Sequence, residues 1–110
     1  MKAPILKVWV DDVRTKPIDY NTSFHSVNEV IAYLESIKNS NASVLLDLDH
    51  DAGDYFHDGG DYIRILDWIE KTGFTLNNPE ACIVFRIHSS NPVGQDNMKK
   101  IITKNGWTLM

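Results

Sequence analysis

The segment DLDHDAGD, residues 47–54, places four aspartates and one histidine in eight consecutive positions. It directly follows the apolar run at 44–46, and no Lys or Arg occurs between Asn39 and Tyr62. Carboxylates this close disfavour each other's ionisation, so without a cation at least one of them should have a raised pKa. The segment is therefore either a solvated acidic turn or a site for a bound cation.

A second acidic pair, Asp11-Asp12, follows the apolar run ILKVWV at 5–10. Carboxylate oxygens suit Mg²⁺, which takes one or two of them, keeps several waters and fills its other positions with phosphate oxygens. Zinc is not expected, because there is a single cysteine and the histidine spacing fits no compact zinc motif. The sequence predicts a Mg²⁺ or Mn²⁺ site with these ligands: Asp11, Asp12 and Asp49, with Asp51 as an outer member.

The remaining aspartates of this region have simpler interpretations. Asp54 and the segment DGGD at 58–61 are typical of solvated turns, and DGGD is expected to turn and cap the following helix. Asp47 leaves two alternatives open, since it shares a strand face with Asp49. It belongs either to the site or to the framework, as a partner for a backbone group or for Arg86.

Two histidines, His50 and His88, each end a predicted strand in an apolar setting. A single histidine in such a place is commonly a hydrogen-bonded structural residue. Two at the same edge of a sheet favour proton transfer, for which imidazole is well matched near neutral pH. Asp49, His50 and His88 are therefore the candidate catalytic residues.

Ser89, Ser90 and Asn91 precede a helix that Pro92 opens at its first position, with Asn91 as N-cap. The start of a helix offers free backbone N–H groups and the positive end of its dipole, which together bind anions. We expect these three residues to bind phosphate, and the capping role of Asn91 is compatible with that role.

Hydrophobic periodicity predicts the elements that position these residues. Strands are expected at 5–10, 22–26 (weakly), 42–50, 81–90 and 107–110. Helices are expected at 26–40, 60–73 and 91–106, the first beginning with the capping-box pattern of Ser26 and Glu29. Helices alternating with near-continuous apolar strands indicate a parallel sheet covered on both faces. In such sheets ligands bind beyond the carboxyl ends of the strands, where the acidic and histidine residues fall.

The composition fits one globular domain over 1–110, with 43% hydrophobic residues and a formal net charge of −4. That charge argues against a general nucleic-acid coat protein, although residues 81–110 form a weakly basic side after the acidic segment. The single cysteine, Cys82, excludes an intrachain disulfide, and we expect it to be an inert packed thiol. We also expect no disulfide-linked partner, no membrane segment, no signal peptide and a cytoplasmic location.

Three motifs in order resemble the cyclic-phosphate processing receiver domain family, which is related to response-regulator receiver domains. They are DDVR at 11–14, DHDAG at 49–53 and HSSNPVG at 88–94. The resemblance implies a single flavodoxin-like, receiver-like α/β domain of three layers. Its parallel sheet has four to five strands in the order 2-1-3-4-5. The predicted sheet core is Val8, Val10, Leu45, Leu46, Ile83, Phe85 and Ile87, with Val30, Leu34, Leu66, Ile69 and Ile102 packing onto it.

The chain also departs from ordinary receiver domains. It has no Lys after the last strand, and the segment at 13–23 shows no helix between the first two strands. Both differences disfavour aspartyl-phosphate signalling. Arg14, His50 and His88 instead supply the fixed cation and the acid/base groups that phosphate recognition or phosphodiester cleavage needs.

Three functional readings follow from the resemblance and these residues. The leading one is metal-dependent processing of a small anionic phosphate ligand, either a cyclic nucleotide or an RNA end with a cyclic phosphate. Arg14 would bind its oxygens, and the histidines would transfer protons. The second is a module that senses or sequesters the same ligand without turnover. The third is a degenerate phosphoacceptor receiver domain.

Overall fold

The computed structural model describes residues 4–110 as alternating strands and helices. The elements are, in chain order, β1 (Ile5–Val10), β2 (Thr22–Phe24), α1 (Val27–Ser36), β3 (Ser43–Leu48), a 3₁₀-helix (Gly53–Asp58), α2 (Ile63–Thr72), β4 (Ile83–Ile87), α3 (Pro92–Lys104) and β5 (Thr108–Leu109). Every predicted strand and helix is present, with most ends one to three residues inside the predicted range.

The five strands form one sheet in the order β2-β1-β3-β4-β5, and every neighbouring pair is parallel. This confirms the receiver-like α/β fold and the predicted strand order. The central strand β3 is buried along its whole length. Its register places Asp47 between Trp9 of β1 and Arg86 of β4.

The helix ends follow local side-chain chemistry. At the start of α1, Ser26 Oγ accepts the backbone N–H of Glu29 at 3.3 Å, and the Glu29 carboxylate accepts the N–H of His25 at 3.0 Å. At the start of α3, Asn91 Oδ1 accepts the N–H of Gly94 at 3.0 Å. Both predicted N-caps are confirmed.

The cap expected from the DGGD segment is not formed. Its two glycines make the turn with positive φ angles, but the N-cap residue of α2 is Tyr62, whose side chain makes no capping hydrogen bond. The Asp61 carboxylate instead accepts the N–H of Ala52 at 3.1 Å. Asp61 therefore fixes the loop after β3 rather than the helix start.

The main core lies between the sheet and the three helices. All predicted core residues are buried except Ile83 and Ile87, which are partly buried and pack against the same cluster. The largest fully buried side chain is Tyr62, which precedes α2. Its burial was not predicted.

The expected second helical layer is absent from the described residues, because α1, α2 and α3 all contribute to one core on one face of the sheet. The connection from β1 to β2 forms no helix. The other face carries Lys7, Leu45 and Val84, which line an open groove.

Cys82 lies at the edge of this groove and is exposed, so the prediction of a packed thiol is wrong. Within residues 4–110, we find no helix with the length and apolar composition needed to cross a membrane.

Candidate site at the carboxyl edge of the sheet

The parallel ladder brings the three motifs together. Where the strands end, the N–H of Asp49 donates to the carbonyl of Val10 at 3.0 Å, and the N–H of His88 donates to Leu48 at 2.9 Å. These bonds continue the pairing of β1, β3 and β4 by one step. The residues that follow these strands therefore share one edge of the sheet.

Three of the predicted metal ligands converge there. Asp11, Asp12 and Asp49 each offer a carboxylate oxygen, and these oxygens lie within 4.8 Å of one another. Asp11 and Asp49 are buried, and Asp12 is partly exposed. We call these three residues the acidic triad.

Asp11 is the most completely bonded member of the acidic triad. Its Oδ1 accepts the backbone N–H groups of Val13 and Arg14 at 2.8 and 3.0 Å. Its Oδ2 lies 2.9 Å both from Arg14 Nη1 and from His88 Nε2. Burial alone would raise the pKa of Asp11, but these bonds outweigh it and lower the pKa.

Asp12 has the opposite electrostatic setting. Its pKa is raised, first by burial and then by the negative charges of Asp11 and Asp49. Within the described part of the chain, its side-chain partner is the Tyr62 hydroxyl, at 3.5 Å from Oδ1. Among residues 4–110, no Lys, Arg or His forms an ion pair with Asp12.

Arg14 lies beside two members of the acidic triad. Its Nη1 is 2.9 Å from Asp11 Oδ2 and 3.4 Å from Asp49 Oδ2, and its side chain is 43% exposed. The hydrogen bond and charge of Asp11 raise the pKa of Arg14. Both contacts are made by Nη1, which leaves the N–H groups of Nε and Nη2 without a hydrogen-bond partner among residues 4–110.

His88 bridges two buried carboxylates. Its Nδ1 lies 2.6 Å from Asp47 Oδ1, its Nε2 lies 2.9 Å from Asp11 Oδ2, and its ring stacks on Trp9 at 3.9 Å. Burial lowers the pKa of His88, but the hydrogen bonds and charges of Asp47 and Asp11 outweigh it and raise the pKa. A protonated imidazole donating to both carboxylates satisfies this geometry.

Asp47, whose role the sequence left open, is part of the framework around His88. Its carboxylate accepts the Tyr20 hydroxyl, and Arg86 Nη1 is 4.0 Å away. Burial, together with the hydrogen bond and charge of Asp47, raises the pKa of Tyr20 to about 12. The alternative of a structural partner therefore fits its contacts, although Tyr20 and His88 are closer partners than Arg86.

His50 forms a separate group with Asp51. Its Nδ1 lies 2.7 Å from Asp51 Oδ1, and this hydrogen bond lowers the pKa of Asp51. Asp51 lies with His50 and Asp61 and not with the acidic triad. The ring of His50 packs against the first turn of α3, where a Cβ on Gly94 would overlap it.

The predicted phosphate-binding segment is only partly free to bind. The Ser89 hydroxyl is buried and accepts the N–H of Asn91 at 3.1 Å. Asn91 Oδ1 accepts the N–H of Gly94, and Asn91 Nδ2 lies 3.4 Å from Asp51 Oδ1. Ser90 is exposed. The helix start keeps its dipole, but two of its backbone donors already have partners.

Sequence reasoning missed the residues that support the site, namely Trp9, Tyr20 and Tyr62. Tyr62 donates its hydroxyl to the carbonyl of His25 at 2.9 Å beneath Asp12. Only Trp9 carried a usable signal, because strand alternation puts it on the same face as Asp11. The two tyrosines reach the site through contacts distant in sequence.

The geometry can be compared with known proteins. Residues 6–104 match the family model described as the Cyclic-phosphate processing Receiver domain. Comparisons with curated proteins and with solved structures gave no match. Since the family model covers nearly the whole chain, the chain belongs to the cyclic-phosphate processing receiver domain family.

Proposed function

We propose that this domain binds a divalent cation, Mg²⁺ or Mn²⁺, on Asp11, Asp12 and Asp49 and uses the site to process a cyclic phosphate. The ligand is a small phosphate anion, either a cyclic nucleotide or an RNA end bearing a cyclic phosphate. The observation that carries the proposal is the electrostatic setting of Asp12. Its pKa is raised and no basic residue among 4–110 pairs with it, so a cation bound there would relieve repulsion.

The donor set fits such a cation. The acidic triad supplies only carboxylate oxygens within 4.8 Å, and hard oxygen ligands are what Mg²⁺ and Mn²⁺ prefer. Each oxygen of Asp11 already has two hydrogen-bond partners. Each oxygen of Asp49 accepts one hydrogen bond, and Asp12 accepts one side-chain hydrogen bond on Oδ1, so these two residues keep more unused lone pairs. When bound, the cation would neutralise charge on the phosphoryl group.

Arg14 is placed to bind the phosphoryl oxygens. Asp11 and Asp49 hold one side of its guanidinium, and the exposed side keeps donors in a planar fork that matches phosphate geometry. Ser90, Asn91 and the dipole of α3 would contribute from the opposite side. Ser89 supports this segment by accepting the N–H of Asn91.

His50 is the better of the two candidate histidines for proton transfer. Asp51 holds its Nδ1, which leaves Nε2 for a ligand, as in other carboxylate-oriented imidazoles. Both nitrogens of His88 already face buried carboxylates. His88 therefore positions Asp11, and its charge favours an anion at the site.

A second candidate function is sensing or sequestration without turnover. It is favoured by the ion pairs of Arg14 with Asp11 and Asp49, which neutralise part of the acidic triad before any cation binds. In that case Arg14 would be the main phosphate ligand.

The exposed thiol of Cys82 fits a reducing compartment, and we propose a cytoplasmic location.

The experiment measures metal binding and turnover together. Wild-type protein is mixed with Mg²⁺ or Mn²⁺ and a panel of cyclic mononucleotides, cyclic dinucleotides and oligonucleotides ending in a cyclic phosphate. Thermal unfolding and product formation are followed. At a metal concentration 100 times Kd, binding adds about 2.7 kcal/mol to the free energy of unfolding.

The matched variants are Asp12→Asn and Asp96→Asn, the latter replacing an exposed carboxylate of α3. Asp12→Asn should abolish the metal-dependent shift, and Asp96→Asn should keep it. If the wild type forms product and His50→Ala binds the ligand without forming product, the result supports the enzyme. Binding without product supports the sensor. No metal-dependent shift in the wild type, or an equal shift in Asp12→Asn, would refute the metal site.

A further inference from the structure

Exposed apolar side chains lie in the segments that follow β1, β3 and β4, the strands whose ends carry the site. Val13 follows β1 and is 81% exposed, and Val93 lies in the first turn of α3 and is 71% exposed. Tyr55 and Phe56, in the 3₁₀-helix after β3, are 36% and 54% exposed. All four follow the strand ends that carry the site. We call these four residues the apolar rim. A bare phosphate anion would gain no apolar contacts from it.

The two aromatic residues of this rim stand close to the acidic triad. The 3₁₀-helix begins at Gly53, whose backbone approaches Asp12 so closely that an added Cβ would lie 2.5 Å from Oδ2. Tyr55 and Phe56 follow within three residues, and consecutive Cα atoms are about 3.8 Å apart. An aromatic group attached to a phosphate at the acidic triad can therefore reach them.

Tyr55 is held in place by a chain of contacts that leads back to the site. Its ring lies 3.9 Å from the ring of His25. The carbonyl of His25 accepts the Tyr62 hydroxyl, which is also 3.5 Å from Asp12 Oδ1. The contact packs one side of the Tyr55 ring against His25 and restricts its rotamers, which reduces the entropy lost on binding.

The charge around the two rings selects the kind of group that meets them. Asp54 and Asp58 are exposed on the same short helix, and Arg64 lies beside Phe56, since Arg64 Nε and Phe56 Cε2 are 3.8 and 4.0 Å from the place of an added Cβ on Gly60. A further phosphate would face two carboxylates and one guanidinium there, so charge alone does not attract it. A neutral, flat aromatic group would instead gain stacking contacts with the rings.

We infer that Tyr55 and Phe56 form a nucleobase-binding ledge beside the acidic triad, which holds the base of the cyclic nucleotide or RNA end proposed above. This inference rests on the proposed function, because the phosphate must lie at the acidic triad for its base to reach the ledge. The ligand is then a cyclic mononucleotide or the terminal nucleotide of a strand whose next phosphate points away from Asp54 and Asp58.

Two probes that share a five-membered cyclic phosphate test the ledge, each with Mg²⁺. Adenosine 2′,3′-cyclic monophosphate carries a ribose and a base, and glycerol 1,2-cyclic phosphate carries neither, so the loss in the alanine variants decides the role of the rings. Affinity is measured as Kd, or as KM where a probe is turned over. The variants are Tyr55→Ala, Phe56→Ala and the conservative Phe56→Trp. The control is Ile5→Ala, which removes a 60%-exposed side chain at the opposite edge of the sheet.

The wild type should bind the adenosine probe more tightly than the glycerol probe. Tyr55→Ala and Phe56→Ala should weaken binding of the adenosine probe roughly five- to a hundredfold, the range of base–aromatic stacking. Both variants should bind the glycerol probe as tightly as the wild type does. Phe56→Trp and Ile5→Ala should keep wild-type affinity. Thermal unfolding of each variant shows whether it is folded.

Three results would overturn the inference in distinguishable ways. Equal binding of both probes by the wild type, or no loss in the alanine variants, would refute the ledge and leave the proposed function intact. Equal loss of both probes in Tyr55→Ala and Phe56→Ala would show that these residues act on the phosphate site itself. If the wild type binds neither probe and no member of the wider cyclic-phosphate panel, the proposed function fails, and the ledge fails with it.

Discussion

Replacing Asp47 by Asn tests whether His88 is held as a cation between two carboxylates. Asp47 is 2% exposed, and its Oδ1 lies 2.6 Å from His88 Nδ1. The substitution keeps the shape of the side chain and the acceptor for the Tyr20 hydroxyl but removes the charge. His88 would keep only Asp11 as a charged partner, so its pKa should fall toward the ordinary histidine value.

The magnitude follows from the burial of this pair. The side chains of His88 and Asp47 are 14% and 3% exposed, so solvent screens their interaction little. A buried hydrogen bond to a charged group contributes about 1.5–3 kcal/mol. We expect Asp47→Asn to lower the free energy of unfolding by about 2 kcal/mol, or roughly 10 °C in Tm for a domain of this size.

The pH dependence has a definite sign. Burial lowers the pKa of His88, but Asp47 and Asp11 outweigh it, so the folded pKa lies above the unfolded value of about 6.5. The stabilisation is therefore complete below about pH 6.5 and is lost as the pH rises through the folded pKa. The difference between the wild type and Asp47→Asn should be largest near pH 6 and should shrink in alkaline buffer.

The assay is urea unfolding between pH 5.5 and 9 in metal-free buffer, together with NMR titration of the His88 ring. Asp19→Asn is the control, since Asp19 is a 61%-exposed carboxylate paired with Lys7 and should change little. If His88 titrates at the same pH in the wild type and in Asp47→Asn, the charge of Asp47 does not hold the imidazolium and the reasoning fails.

Two glycine substitutions test the close approaches at the site. Gly94→Ala would place a methyl group against the His50 ring, 2.9 Å from Nδ1. We expect the free energy of unfolding in urea to fall by about 1–3 kcal/mol and cyclic-phosphate turnover to fall as well. Gly53→Ala combines a φ of +55° with a contact 2.5 Å from Asp12 Oδ2; we expect it to cost about 1–2 kcal/mol and to weaken Mg²⁺ binding in calorimetry. Wild-type stability and affinity in either variant would contradict the packing described.

The position of the site could be predicted because it depends on only two sequence signals. Apolar runs at 5–10 and 44–46 mark strands, and the residues that end them are polar. Once the strands are parallel, their carboxyl ends must share one edge of the sheet. Asp11, Asp12, Asp49 and His88 therefore came together without knowledge of any side-chain contact.

The partners of these residues could not be predicted, because they depend on contacts distant in sequence. Asp47 is bonded to Tyr20, which is 27 residues away, and Arg86 reaches the same hydroxyl across 66 residues at 3.3 Å. Neither pairing leaves a local pattern. The sequence offered Arg86 as the partner of Asp47 because neighbouring strands were foreseen, whereas the loop that carries Tyr20 was not.

The burial of Cys82 was misjudged for a related reason. The apolar run around β4 indicated a strand covered on both faces. Only one face receives helices within residues 4–110, so the other face of the sheet stays open and Cys82 is exposed at its edge. Periodicity reports that a strand is apolar, but it does not report whether an element covers each face.

The charge balance of the site explains why a cation would be attracted to Asp12. His88 offsets Asp47 and Asp11, and Arg14 offsets Asp11 and Asp49. Asp12 is the triad member whose pKa is raised. A cation held by the acidic triad would add positive charge near Arg14, which contacts Asp11 and Asp49, and the two positive charges would repel. Because Arg14 is 43% exposed, its guanidinium can turn outward, toward the place where a phosphoryl group would bind. Metal binding would turn Arg14 toward the phosphoryl group, and the bound phosphate would offset the positive charges of Arg14 and the metal. Each binding event would then favour the other.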